Sequence, residues 1–190
     1  MSYAFTFPFC VIVTVSASLV TVLTSILSVG ILSAMKQEEV LLSFDRLLLS
    51  LFLVVCYFLP IEGFTWGGSL GGHVFYMLGH VNIFHLMANI LCLVVIRCPL
   101  RLFESLLCAF ICSYLPCFTH EETLGFSGVL FAMVGISWGR VNRFKEMFTR
   151  NWFWILLPLI IPHVNGFLHL YCLLLGYFLG YEERDKGVNQ

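Results

Sequence analysis

The sequence predicts an all-α fold, a polytopic membrane helix bundle, on three observations. Of its 190 residues, 59% are hydrophobic and 11% charged, with a mean hydropathy of +0.93. An ordinary soluble domain is about a quarter charged and about half apolar. The apolar residues gather into successive runs separated by short polar, glycine- or proline-containing pieces. Threaded back and forth, those runs leave every Lys and Arg on one side, as the positive-inside rule requires. The length leaves no room for a second soluble domain of ordinary size. A net charge of −1 and the lack of a basic run argue against a nucleic-acid partner.

The first apolar run, Phe7 to Met35, is long enough to cross a hydrocarbon core of about 30 Å. It lacks a charged leading region and a convincing cleavage site, so it reads as an extra N-terminal transmembrane helix and not as a signal peptide. With its short loop it occupies residues 1–39. Residues 40–182 read as the main membrane domain and 183–190 as a short cytoplasmic tail. Within the main domain a second run covers Leu47 to Pro60, where Asp45 and Arg46 can snorkel from its end. The glycine-rich stretch 61–79, with Trp66 and Tyr76, reads as an outer loop at the interface. Further runs follow at 81–96, 100–118, 126–140, 151–163 and 165–181, punctuated by Pro99, Pro162 and Asn165. Several are short: fourteen residues of helix reach only about 21 Å. Such a bundle should thin the bilayer or hold its loops inside it.

Seven spans place Lys36, Arg46, Arg97, Arg101, Arg140, Arg143, Lys145, Arg150, Arg184 and Lys186 on the cytoplasmic side. A six-span threading would move Leu47–Pro60, Lys36 and Arg46 to an outer loop, so seven is preferred. The expected location is an integral, multi-pass position in a bacterial cell (inner) membrane. The eight cysteines lie in or beside apolar runs without a CxxC pair, and read as small packing residues.

Three polar constellations fall at one depth in this threading. Gly125-Phe126-Ser127-Gly128 precedes an apolar run. The serine there is either an ordinary helix cap or a nucleophile whose flanking glycines allow close backbone approach. In His80-Val-Asn-Ile-Phe-His85-Leu-Met-Ala-Asn89, His85 and Asn89 share a helix face, and His80 stands a turn and a half away. These residues either glue helices together or aim donors at one point. No Cys or carboxylate completes a metal or haem ligand set, so neither a metal nor an organic cofactor is expected. Finally, His169 heads a stripe of small residues at Cys172, Gly176 and Gly180. The stripe lets a neighbouring helix approach closely. If that neighbour carries Ser127, the two form a nucleophile and its base.

Together these segments resemble the rhomboid family of intramembrane serine proteases. Its pattern is His-x4-His-x3-Asn on one helix, Gly-x-Ser-Gly opening a second, and a His followed by spaced small residues on a third. The resemblance covers residues 40–182. It implies a rhomboid-like six-helix core, with the N-terminal run as one extra transmembrane helix. It implies Ser127 as nucleophile and His169 as general base, with His85 and Asn89 stabilising the oxyanion alongside the Ser127 amide. His80 would brace the outer loop, Gly125 and Gly128 would permit the tight start of the serine helix, and Phe131 would lie against the catalytic His. The chain departs from the family in two places. Gly71-Gly72 stand where the family often carries Trp-Arg, and Cys172 stands where it usually has Gly. His163, followed by Gly166, is a rival base with too few spaced small residues after it.

The function this implies is an intramembrane serine endopeptidase. It would cleave transmembrane segments of membrane proteins near the outer face, within a lipid bilayer. Helical amides are shielded by their own hydrogen bonds, so its protein substrates should carry helix-destabilising Gly, Ala, Ser or Pro. The alternative is a catalytically inactive rhomboid-like protein that binds membrane proteins or serves their quality control. A channel or transporter is less well supported, because no inverted repeat and no carboxylate accompany the polar cluster.

Overall fold

The computed structural model describes residues 44–65, 68–96, 98–116, 122–160 and 164–188. The expected N-terminal helix of residues 1–39 lies outside the described residues, as do Trp66, Arg97 and His163. The described residues form seven α-helices: α1 (Phe44–Tyr57), α2 (Leu70–Phe75), α3 (Ile83–Val95), α4 (Leu102–Cys112), α5 (Ser127–Val141), α6 (Phe144–Leu156) and α7 (Gly166–Val188). A 3-10 turn at Leu157–Leu159 follows α6.

The boundaries follow local chemistry. Asn82 caps α3, its Oδ1 accepting from the His85 N–H at 2.9 Å. The stretch 61–79, read from sequence as a loop, contains α2, capped by Ser69 through the Gly72 N–H. α6 begins well before the apolar run at 151–163 expected to form it. Its first turns carry Lys145, Glu146, Thr149 and Arg150, while Met147, Asn151 and Ile155 are buried at a spacing of four. An amphipathic helix of this kind is invisible to a search for continuous apolar residues.

The centre of the fold is the pair α5 and α7, with α4 packed against both and α1 against α3. Gly135 and Gly139 of α5 lie on the backbone of Leu173 and Tyr177. In return, Gly176 and Gly180 of α7 lie on the backbone of Ala132 and Ile136. A Cβ at any of these four positions would fall inside backbone atoms of the other helix, so the two axes approach as closely as main chains allow.

The structure corrects the expectation of a polytopic membrane bundle. Among the described residues, no helix is long and apolar enough to cross a membrane. α1 has 14 residues, α3 and α6 have 13, α4 has 11 and α5 has 15. At 1.5 Å per residue these reach at most about 23 Å, short of a hydrocarbon core of about 30 Å. α7 has 23 residues, but its last two turns carry Glu182, Glu183, Arg184 and Asp185. The integral, multi-pass, inner-membrane placement falls with the bundle, because the one-sided distribution of cations reports topology only for helices that cross. Arg46 does not snorkel either. It is buried and donates to backbone carbonyls of Leu93 at 3.1 Å, Ile96 and Cys98 at the end of α3.

Candidate active site

Gly125 approaches α5 with φ +133°, a conformation that L side chains rarely adopt. Its N–H donates to the Tyr76 carbonyl at 2.9 Å. Phe126 then takes the N-cap position, and no side chain caps the helix. Ser127 is therefore the first helical residue and not the cap, so its hydroxyl is not committed to the helix end. The first amides of α5 have no intrahelical acceptor.

The Ser127 hydroxyl meets His169 instead. Its Oγ lies 2.7 Å from His169 Nε2, between half-buried Ser127 and buried His169. His169 sits in the first turn of α7, where the glycine-lined approach of α5 and α7 brings the two helix starts together. The Phe131 ring, one turn beyond Ser127, stacks on the imidazole with centroids 4.6 Å apart and planes 2° from parallel. Among the described residues nothing bonds to His169 Nδ1, so the pair has no third member there. With Ser127 donating to Nε2, the ring's own proton resides on Nδ1. Burial, reinforced by His85, holds the His169 imidazole below its usual range, which keeps Nε2 free to accept a proton near neutral pH.

His85 faces the same loop: a Cβ on Gly125 would lie 2.5 Å from His85 Cε1. Asn89, one turn along α3, is buried with its Nδ2 donor unpaired among the described residues. The His80 ring packs edge-on against His85 at 5.3 Å. Burial lowers the pKa of both imidazoles, His80 and His85. Gly128 is less constrained than Gly125, since its nearest neighbours, Cys172 Sγ and the Tyr76 hydroxyl, would stand 3.4 and 3.5 Å from a methyl added there. Cys172 thus fills the space that Gly128 leaves, and the Ser127–His169 bond forms without glycine at 172. No group of three or more His, Cys, Asp or Glu among the described residues is arranged to hold a metal ion.

Several residues that shape the site carry no signal in the motifs. Phe64 and Thr123 exchange backbone hydrogen bonds at 3.1 and 3.0 Å, tying the 61–79 stretch to the approach to Ser127. His73 follows Gly71-Gly72 and anchors the same stretch. Its ring stacks on Tyr114 at 4.1 Å and on Phe64 at 5.1 Å. Its Nδ1–H donates to Ser113 Oγ at 2.8 Å, while Ser113 donates onward to the Phe110 carbonyl. Asn165 caps the first turn of α7 through the Leu168 N–H. An Asn followed by Gly ahead of an apolar run is a readable cap, whereas the partners of Phe64 and His73 are distant in sequence. Comparison with family models, with curated proteins and with solved structures found no match to this chain.

Proposed function

We propose that this chain is a rhomboid-like serine endopeptidase working by a Ser127–His169 dyad. The observation that carries the reading is the 2.7 Å hydrogen bond between Ser127 Oγ and His169 Nε2, made by a hydroxyl free of helix capping and a buried imidazole. His169 takes the hydroxyl proton as Ser127 Oγ attacks a peptide carbonyl, and returns it to the departing amine. Water then attacks the acyl-enzyme with His169 again as base, releasing the acid and regenerating Ser127. The uncapped amides at the start of α5 suit the oxyanion, with His85 and Asn89 as side-chain donors. Loss of one such donor typically lowers the rate about 10²–10³-fold. The substrates in this reading are apolar segments of membrane proteins that carry helix-destabilising Gly, Ala, Ser or Pro.

The test is labelling of the purified protein with a fluorescent fluorophosphonate, beside Ser127→Ala, His169→Ala and His163→Ala. The parent and His163→Ala are expected to label, and the other two are not. Loss of labelling in His163→Ala alone would move the base. A folded parent that does not label would turn the reading to an inactive binding protein.

A further inference from the structure

We infer that Asn165 is a positioning residue for the dyad, holding the serine loop and the base helix in register through the Thr123 hydroxyl. The inference rests on the dyad reading above. Asn165 is buried, 7% exposed, and both ends of its side chain are engaged. Its Oδ1 accepts from the Leu168 N–H at 3.1 Å, and its backbone carbonyl accepts from the His169 N–H at 3.4 Å. One side of Asn165 therefore sets the first turn of α7, where His169 stands. Its Nδ2 donates to Thr123 Oγ1 at 3.0 Å. Thr123 is fixed in turn by its paired backbone bonds to Phe64, and it leads through Gly125 to Ser127 four residues on. Alongside the dyad's own bond, this side-chain hydrogen bond joins the approach to Ser127 with the start of α7.

This bridge adds a directional polar tie to the helix packing. α5 and α7 touch through glycines and main chain. That fixes how near the axes lie, and the apolar contacts across it, such as Phe131 on His169, are non-directional, whereas a hydrogen bond holds both distance and angle. A 2.7 Å bond between Ser127 and His169 does not survive a displacement of an ångström, and misplacement on that scale can cost about 10²-fold in rate. The Asn165–Thr123 bond pins the two segments at the end where the dyad sits.

The experiment combines fluorophosphonate labelling with peptide cleavage by the full chain, and follows folding by thermal unfolding. Thr123→Val removes the acceptor at nearly constant shape. Asn165→Ser keeps a capping oxygen but is too short to reach Thr123. Each is expected to lower kcat roughly tenfold or more with KM unchanged. The double variant should fall no further than either single one, and Thr123→Ser should restore the parent rate. Parent-like kcat in folded Thr123→Val or Asn165→Ser would overturn the inference, as would additive losses or losses tracking the unfolded fraction. A folded parent that neither labels nor cleaves would overturn the dyad reading itself, an outcome read directly from the unsubstituted chain. If Thr123→Val does not fold, the comparison of Asn165→Ser with Thr123→Ser decides the matter.

Discussion

The two glycines flanking Ser127 have different physical duties. Gly125 combines a positive φ of +133° with a ring pressed where its side chain would be, since a Cβ would stand 2.5 Å from His85 Cε1 and 2.8 Å from Nε2. Alanine there would both strain the backbone and push His85 out of the site. Gly128 lies inside α5 at ordinary φ, and a methyl would meet Cys172, Tyr76 and Leu168 at 3.4–3.6 Å, ordinary contact distances. Alanine is also the better helix former, although the gain at the second residue of α5 is smaller than in a helix interior. Gly125→Ala is therefore expected to abolish fluorophosphonate labelling, whereas Gly128→Ala should label at a rate near the parent's and unfold no earlier. Equal loss in both variants would show that the serine loop needs glycine for a reason other than φ and the His85 contact. The motif Gly-x-Ser-Gly was legible in the sequence, but this asymmetry was not. It depends on which side chain from α3 fills the space beside Gly125, and that is settled by packing.

At the scale of helices, the stripe Cys172, Gly176, Gly180 was the sequence feature that said most about the site. In the structure it faces α5, the helix that starts with Ser127. What the stripe could not show is its counterpart, Gly135 and Gly139, which receives the backbone of Leu173 and Tyr177. Both helices had to be small at the crossing. α6 was misplaced for the opposite reason: its polar first turns hid a buried face of Met147, Asn151 and Ile155. α2 went unread because six residues are too few to show a period. The close crossing makes a clear demand. At Gly176 a Cβ would penetrate the Ala132 carbonyl, and a main-chain atom cannot rotate aside as a side chain can. Gly176→Ala should force the helices apart, destabilising the protein by about 1–3 kcal/mol. It should also slow labelling of the fraction that remains folded, because the two helices carry the two halves of the dyad. A variant with the parent's unfolding midpoint and labelling rate would show that the crossing yields more easily than a backbone contact should.

For the molecule as a whole, composition was a poor guide to architecture because hydropathy counts residues without recording where they point or how long a helix runs. Phe44, Phe58, Phe103 and Ile160 are all at least 74% exposed. Among the described residues the apolar content is thus shared between the core and the surface, and no helix is both long and apolar enough to cross a membrane. Polar anchors join these short helices. Glu183 near the end of α7 accepts from Arg101, just ahead of α4, and from Arg140 in α5, while Arg101 also pairs with Glu104 at 2.6 Å. Arg46 ties α1 to the end of α3. Of these, Arg46 has the most at stake, being 8% exposed where Arg101 and Arg140 keep about a third of their side-chain surface. Its guanidinium satisfies the carbonyls of Leu93, Ile96 and Cys98, which no helical N–H reaches once α3 ends. Cations at a helix C-terminus are favoured by its dipole as well. Removing the side chain strands several buried acceptors, each costing about 1–3 kcal/mol when unsatisfied. Partial hydration of the vacated site offsets some of that sum. Arg46→Met should accordingly lower stability by about 2–5 kcal/mol, seen in urea as an earlier midpoint at unchanged m-value. Arg46→Lys keeps the charge but not the planar fork that serves separate carbonyls, so it should recover only part of the loss. Full recovery by lysine would mean that charge at the end of α3 matters and the fork does not; no loss in either variant would mean that water satisfies those carbonyls equally well.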